Sequence, residues 1–323
     1  AGKYAGKGEN HFYFSPAGPA ASGNVLIGVK KKGAPASEGY LWSWHLWLTN
    51  YNPDAAPLSW QEDVYSYPIA SGGHVHRYAN GTGTTWSTHY TDKFIMDRNL
   101  GAASAARGDG IASTRGLFYQ FGRKDPFPAT SVGLYNVSGT AVTAFTATAN
   151  DCIVWVPGRT AIKTAVQHPY NLYYPGSGDW VQSNPYPSNS WNNPGWYTSV
   201  PKAGKSLFDP CPPGWRLPVT GTLDTFALPG TDTPNAAGDF KTGNDQAGWE
   251  FYMSGSSGET VFYPASGCRH VAMAASYDER SYGYYWLSTP IGNTRHLGFG
   301  ETDVTPQGNA SRGYGFPVRC IQE

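Results

Sequence analysis

The stretch DPCPPGWRLP, residues 209–218, combines a cysteine, a run of prolines and a tryptophan in one short segment. Pro210, Pro212 and Pro213 fix the backbone angle φ and therefore stiffen a turn. Trp215 supplies a large side chain suited to burial. A buried arginine needs an acceptor, so Arg216 would have to find a carbonyl or carboxylate partner. We interpret the stretch as a determinant of the fold rather than as a catalytic site.

Composition limits the classes of function. Lysine plus arginine and aspartate plus glutamate both total 23, and this zero net charge argues against a nucleic-acid partner. Charged residues make up 14% of the chain, below the usual share of about 25%, whereas aromatic residues reach 15%. No apolar run is long enough to predict a membrane span. The profile is typical of loop-rich secreted domains and of aromatic surfaces that bind sugars or proteins.

Periodicity predicts mostly short strands. Strands are expected in 24–33, in 93–102 and through much of 246–323. In 42–49, Trp42, Trp44, Leu46 and Leu48 alternate with other residues, which predicts a strand with one heavily apolar face.

Helical spacing predicts three short helices. The first is expected in 114–128, where Leu117, Phe118 and Phe121 would share a face. The second spans 159–169 with Thr160 as its N-cap. The third begins at Thr222, with Leu223 and Phe226 facing inward.

Several motifs occur in an order that matches one known family. They are WSWHLWLT (42–49), FIMDRNLGA (94–102), GLFYQFGRKDPFP (116–128), CPPGWRLP (211–218), YYWLSTP (284–290) and GFPVRC (315–320). Together they resemble the C-type-lectin-like surface domains of Bacteroidetes, the Fibrobacter succinogenes major paralogous domain type. The resemblance covers about residues 40–323.

The resemblance implies an α+β fold class. It implies a C-type-lectin-like fold of short antiparallel strands with two or three short helices and long loops. Residues 1–39 would form an N-terminal segment that packs on the fold, and 40–323 the domain itself, with a variable ligand face near 268–314.

Four cysteines allow three pairings, which the residues alone leave open. The family resemblance implies a disulfide between Cys211 and Cys320. Such a bond would close a long loop and contribute roughly 4 to 5 kcal/mol in the chain-entropy description. Cys268 stands where the family usually has tyrosine, so we expect a free thiol there, and the pairing of Cys152 stays open.

Signatures of catalysis and of metal binding are weak. The chain has no GxSxG, P-loop or CxxC motif. His74 and His76 lie on one face of a predicted strand, but no third zinc ligand can be named. The calcium-binding tripeptides of C-type lectins are missing, and WNNPG at 191–195 lacks the carboxylate that calcium prefers. We therefore expect no enzyme activity, no metal and no cofactor.

The segment 268–314 carries the candidate ligand face. Its polar and aromatic side chains are of the types that antibody binding sites favour. The candidate ligand-binding residues are His270, Tyr277, Asp278, Arg280, Tyr282, Asn293, Arg295, His296, Glu301, Asp303, Gln307, Asn309 and Tyr314. Of these, Tyr277, Tyr282, Arg295 and His296 are the expected anchors. The second candidate surface is the aromatic loop at 170–200, with Tyr173, Trp180, Trp191 and Trp196.

The same segment resembles the variable region of proteins that diversity-generating retroelements diversify. The resemblance implies an extracellular or cell-surface adhesin, on a fimbrial tip or a phage, that binds a protein or glycan ligand on a host or bacterial surface. Fimbrial subunits are further expected partners. Two alternatives stay open. One is an enzyme of the formylglycine-generating type, which needs two closely spaced reactive cysteines. The other is a structural pilin subunit, although a final strand tethered by Cys320 favours a tip position.

Overall fold

The structure is a computed structural model that describes the following residues: 23–35, 37–49, 51, 64–66, 75–77, 86–88, 94–129, 140–141, 153–176, 178–182, 205–218, 220–252, 257–258, 260–272, 276–288 and 294–322. The helices described are α1 (Ile111–Thr114) and α2 (Ile162–Gln167), with single 3-10 turns at Arg107–Asp109 and Asp224–Phe226. The strands described are, in chain order, β1 (Gly23–Val29), β2 (Trp42–Leu48), β3 (Val64–Ser66), β4 (Val75–Arg77), β5 (Trp86–Thr88), β6 (Phe94–Met96), β7 (Leu117–Gln120), β8 (Phe127–Pro128), β9 (Val154–Pro157), β10 (Asn171–Tyr174), β11 (Trp215–Arg216), β12 (Ala236–Ala237), β13 (Gly248–Tyr252), β14 (Thr260–Pro264), β15 (Cys268–Arg269), β16 (Ser276–Tyr277), β17 (Gly283–Trp286), β18 (Thr294–Phe299), β19 (Val304–Ala310), β20 (Gly315–Pro317) and β21 (Ile321–Gln322).

The strands form several small sheets, in part arranged as a half-barrel. The largest has the order β16-β15-β20-β7-β8, and a four-stranded sheet has the order β11-β21-β6-β3. Two three-stranded sheets, β12-β13-β14 and β17-β18-β19, are antiparallel meanders. Strands β9 and β10 pair in parallel. The last strands of the chain thus pair with early ones, which brings distant segments together.

The predicted α+β fold class is wrong, because the protein is mainly β, with 39% strand and 8% helix. The segment 114–128 is the main reason. Instead of one helix it forms strands β7 and β8, which pair with each other across a turn. Gly116 and Gly122 have φ of 71° and 84°, which favours glycine and limits the segment between them to five residues. Pairing of β7 with β20 and with β8 satisfies the backbone donors and acceptors of this segment.

The predicted helix at 159–169 is confirmed in a shorter form, as α2. Ala165 is buried, as its position on the apolar stripe predicts. Thr160 is not the N-cap; Ala161 occupies that position and makes no side-chain cap, while Thr160 bridges to Val181. The helix expected from Thr222 is wrong, since only a 3-10 turn forms there. The turn ends at Ala227, whose φ of −107° and ψ of 146° are those of an extended backbone.

The strand predictions for 24–33, 42–49, 93–102 and 246–323 are confirmed in shortened form. Strand β2 differs from the prediction in the face that it buries. Ser43 is fully buried, whereas Trp44 is 36% exposed. Ser43 binds the Asp125 carboxylate at 2.5 Å and Lys124 Nζ at 2.5 Å. The polar side of β2 therefore faces the body of the protein, because Ser43 binds the side chains of Lys124 and Asp125 there.

The opening stretch anchors the second of two large apolar cores. Trp215 and Leu217 are buried beside the Cys211–Cys320 disulfide, whose Cα atoms lie 5.9 Å apart. The predicted pairing is thereby confirmed. The other large core lies between β13, β14 and the β17–β19 sheet, around residues such as Phe251 and Phe299.

Arg319 links these cores as a buried cation. It binds Asn99 Oδ1 through Nη2 at 2.9 Å and lies 3.7 Å above the centre of the Tyr263 ring. Its partner is thus an amide oxygen and a π face rather than a carboxylate. Arg216 is only half-buried.

The N-terminal part of the chain is described only from Gly23. Strand β1 pairs with β2 along its whole length, from Gly23 opposite Leu48 to Val29 opposite Trp42. The division at residue 39 stays a prediction. Among the helices that the structure describes, none has the length and apolar character needed to cross a membrane.

Candidate functional site

A continuous row of ring contacts crosses the face formed by β15, β16, β17 and β20. We call it the aromatic row, and it consists, in contact order, of Tyr277, His270, Tyr314, Phe316, Tyr284 and Tyr282. Neighbouring ring centroids lie 5.1, 5.1, 5.4, 4.9 and 4.8 Å apart in that order. Tyr277 is 47% exposed and Phe316 is buried, while the others are half-buried. The row therefore has a buried residue, Phe316, near its centre and an exposed residue, Tyr277, at one end.

A tight turn places the first end of the row. Gly267, at φ 66°, lies so close to the Tyr277 carbonyl that a Cβ atom would collide with it. Asp278 and Arg280 follow with φ of 57° and 63°, a left-handed conformation that few residues other than glycine adopt. Tyr282 closes the turn by donating its backbone N–H to the Asp278 carbonyl at 2.9 Å. The turn between β16 and β17 is thus held by backbone geometry as well as by side chains.

Glycines in β18, in β19 and just beyond β18 make room for the rings at the Tyr282 end of the aromatic row. A Cβ atom at Gly308 would lie 2.7 Å from Cε1 of His296, and one at Gly300 would lie 2.9 Å from Cε2 of Tyr282. Both separations are shorter than real side chains tolerate. The small residues therefore let these two rings lie against the sheet.

Two carboxylates hold the hydroxyls of the paired tyrosines. Tyr284 donates to Asp278 Oδ2 at 2.6 Å, and Tyr282 donates to Asp303 Oδ2 at 2.7 Å. Burial, followed by these carboxylates, raises the pKa of both phenols well above the ordinary value. The tyrosines thus stay protonated and their hydrogen-bond donors are engaged within the protein.

His296 lies beneath the row rather than on its surface. It is 8% exposed, and its ring contacts Tyr284 and Phe316 at centroid distances of 5.7 and 5.3 Å. Burial lowers its pKa to about 4, so the imidazole is neutral at physiological pH. In this position it supports the row from below.

The other expected anchor, Arg295, lies on the opposite face of β18. Its Nη1 donates to the Gln307 carbonyl at 2.9 Å. The Gln307 side chain in turn donates to both oxygens of buried Asp224, at 2.8 and 2.9 Å. Asn309 is exposed and lies directly across from Arg295 in β19. These three predicted residues are grouped together but do not join the aromatic row.

The remaining predicted residues are more scattered. Arg280 binds Asp245 at 2.6 Å on the surface and also approaches Glu279. Glu301 is exposed and lies two residues beyond the end of β18. Asn293 lies outside the described residues.

Two residues of the row, Tyr284 and Phe316, were missed by the sequence interpretation. They lie inside the motifs YYWLSTP and GFPVRC, which were assigned to the framework. A signal was nevertheless present: Tyr282, Tyr284 and Trp286 alternate, so the three side chains share one face of β17. That alternation extends the face beyond Tyr282.

The second candidate surface is partly buried in the structure. Tyr173 and Trp180 are 2% and 0% exposed, and they stack on each other with ring centroids 6.2 Å apart. They are core residues, whereas Trp191 and Trp196 lie outside the described residues.

Nucleophilic chemistry is not favoured by the groups near the row. Cys268 is a free thiol, as expected, but it is only 1% exposed, and burial raises its pKa well above the usual value. Cys152 lies outside the described residues. Within the described ranges, no three His, Cys, Asp or Glu side chains are arranged to hold a metal ion. His74 is also outside those ranges, and only the backbone of His76 is described, in β4.

Comparisons with protein-family models, with curated proteins and with solved structures found no match to this chain. The resemblance to the Bacteroidetes surface domains therefore stays a prediction.

Proposed function

We propose that this protein is a non-catalytic ligand-binding or adhesion module that acts outside the cell, with the aromatic row as its contact surface. The observation that carries the proposal is the unbroken chain of five ring contacts that ends in exposed Tyr277. Tyrosine offers a large, stiff contact area at a small loss of side-chain entropy. The carboxylates that hold Tyr282 and Tyr284 reduce that loss further.

The extracellular location is supported by the disulfide. Cys211–Cys320 joins segments 109 positions apart, and such bonds persist mainly in oxidising compartments. The partner is then a protein or glycan on a host or bacterial surface, and fimbrial subunits are candidates for attachment.

The states of the cysteines favour binding over the formylglycine-generating alternative. An enzyme of that type needs two reactive thiols, yet Cys320 is bonded and Cys268 is buried. Binding requires neither of them.

The position of the row also suits genetic diversification. His270, Tyr277, Tyr282 and Tyr314 lie within 268–314 and are supported by a framework of buried strands. Sequencing around the gene tests this part: a template repeat and a reverse transcriptase gene are expected nearby, and the absence of both would overturn it.

A glycan and protein array tests the binding function directly. The wild-type protein is compared with Tyr277→Ala and Tyr282→Ala on every spot that gives a signal. Trp44→Ala is the matched control, because Trp44 is an exposed aromatic residue of β2 outside the row. Loss of signal in the two row variants alone supports the proposal. Equal signals in all four proteins would contradict it.

A further inference from the structure

The hairpin of β1 and β2 has two faces of different character. Ser43 and His45 lie on the inner face, where Ser43 binds Lys124 and Asp125. Because side chains alternate along a strand, the residues between them belong to the outer face. The register of the pair assigns these apolar side chains to the outer face: Val25, Ile27 and Val29 of β1, and Trp42, Trp44, Leu46 and Leu48 of β2.

Exposed apolar side chains are concentrated on this hairpin. Among the described residues, six large hydrophobic side chains are exposed, and four of them are Val25, Val29, Leu41 and Trp44. Leu41 comes directly before β2 and is 60% exposed. Its backbone N–H donates to the Val29 carbonyl at 2.8 Å, so these two residues lie side by side at the connecting end of the hairpin. Apolar surface that is clustered in this way marks a place of contact.

Positive charge is concentrated at the same end of the hairpin. Lys30, Lys31 and Lys32 follow Val29 directly, and all three are exposed. Against these three lysines, the connection 30–41 holds one acidic residue, Glu38, which leaves a net charge of +2. The chain as a whole has a net charge of zero. The apolar surface is thus bordered by a basic cluster.

We propose that the outer face of this hairpin attaches the protein to an anionic lipid surface. The attachment is separate from the contact surface formed by the aromatic row. Val29 and Leu41 would enter the apolar edge of the lipid layer, and Trp44 would lie at the level of the headgroups, which tryptophan favours. The lysine stems would lie along the apolar region while their ammonium groups meet the lipid phosphates.

Charge favours lipid over a second copy of the chain. Each copy brings the same net positive connection, so an interface between two copies gains nothing from the lysines. A protein partner also needs close shape complementarity at the centre of its interface. The outer face is a pleated sheet, and fluid lipid adapts to that shape without such a match.

Co-sedimentation of the whole protein with vesicles tests the attachment. Vesicles of phosphatidylcholine mixed with an equal part of phosphatidylglycerol are compared with vesicles of phosphatidylcholine alone, at low and high salt. We expect binding to the anionic vesicles that weakens at high salt, and binding to the neutral vesicles that is about tenfold weaker. Equal binding to both kinds of vesicle, or binding to neither, would overturn the proposal.

Lysine variants locate the charged part of the contact. Lys31→Gln combined with Lys32→Gln should weaken binding to the anionic vesicles by about tenfold or more. The matched control is Lys163→Gln combined with Lys241→Gln, which removes two lysines outside the hairpin and should bind like the wild type. Wild-type binding by the Lys31/Lys32 variant, or an equal loss in the control, would argue against the lysine cluster and overturn the proposal.

An apolar variant tests the other half of the contact. Leu41→Ser combined with Val29→Thr removes apolar surface, while threonine keeps the shape of valine and its preference for strands. Binding to the anionic vesicles should fall by about tenfold or more, and unchanged binding would overturn the proposal. Melting temperatures show whether the variant is folded. If it is not, Leu41→Ser alone tests the same contact with a smaller expected loss.

Sedimentation velocity without lipid tests the competing occupant of the face. The lipid surface predicts that the wild type and the Leu41/Val29 variant have the same oligomeric state. A wild-type dimer that this variant converts to a monomer, together with no binding to vesicles, would overturn the proposal and assign the outer face to a second copy of the chain.

Discussion

Tyr284 donates its hydroxyl proton to Asp278 Oδ2 over 2.6 Å, and Asp278 occupies a left-handed backbone position at φ 57°. The side chain of Tyr284 thus ties strand β17 to the turn that contains Asp278. Its ring lies 4.9 Å from Phe316 and 4.8 Å from Tyr282, at the middle of the aromatic row. The hydrogen bond between Tyr284 and Asp278 therefore joins the aromatic row to the framework.

Reduction of the Cys211–Cys320 bond is expected to destabilise the fold. The bond closes a loop across 109 positions, so the free energy of unfolding should fall by roughly 4 to 5 kcal/mol. Urea unfolding with and without reductant measures the change. The double variant Cys211→Ser/Cys320→Ser serves as a control and should not respond to reductant. A non-reducing peptide map that finds both thiols free in oxidised protein would contradict the assignment.

The close approach of Gly308 to the His296 ring predicts that a larger residue at position 308 destabilises the protein. In Gly308→Ala the new methyl group would meet the His296 ring, so we expect a loss of about 1 to 3 kcal/mol in unfolding free energy. Gly23→Ala is the matched control, because a Cβ atom there has no neighbour within 4 Å, and it should change stability by less than about 0.5 kcal/mol. Thermal unfolding compares the two, and equal losses would argue against a packed His296 ring.

Acidification should destabilise the protein through His45 and His296, whose pKa values are lowered by desolvation. Burial holds the pKa of His45 and of His296 at about 4, below the ordinary 6.5. The unfolded chain therefore takes up protons first, so the stability from each neutral imidazole is complete above pH 6.5 and is lost as pH falls toward 4. Burial raises the pKa of Asp209, which acts in the opposite direction.

The difference between variants isolates this effect. Replacing His296 by glutamine should reduce the slope of unfolding free energy against pH in that window by up to about 1.4 kcal/mol per pH unit. Denaturant unfolding at a series of pH values gives the slope. An identical slope in the wild type and in His296→Gln would show that the imidazole is not buried in its neutral form.

Trp215 and Tyr277 should respond to truncation in opposite ways. Trp215 is 1% exposed and packs near the disulfide, so Trp215→Ala should cost about 3 to 5 kcal/mol in stability. Tyr277 is 47% exposed, so Tyr277→Ala should stay within about 0.5 kcal/mol of the wild type. Melting temperatures of both variants provide the check. A large loss in Tyr277→Ala would place that side chain in the framework rather than in the contact surface.

Local patterns in the sequence predicted much of the fold. Alternation identified β2, and the proline-rich turn identified Trp215 as a buried anchor. The failures occurred where spacing was ambiguous. Leu117, Phe118 and Phe121 fit a helical face, but they equally fit a short strand buried on both sides, and only pairing with β20 decides between these.

The candidate site was predictable in part. His270, Tyr277, Tyr282 and Tyr314 were selected by residue type, and the structure brings them into one row. Residue type could not separate them from Arg295, which lies on the other face of β18, because a side-chain face depends on strand register. The disulfide depended on the family resemblance, since four cysteines permit three pairings.

The most direct test of the central claim is the affinity of row variants for a ligand found on the array. Tyr277→Ala and Tyr282→Ala are measured by titration against the wild type and Trp44→Ala, with melting temperature recorded on every sample. The aromatic row as contact surface predicts a loss of about 2 kcal/mol or more, roughly thirtyfold, in a row variant that stays folded. Wild-type affinity in both folded row variants would contradict the claim and place recognition elsewhere on the protein.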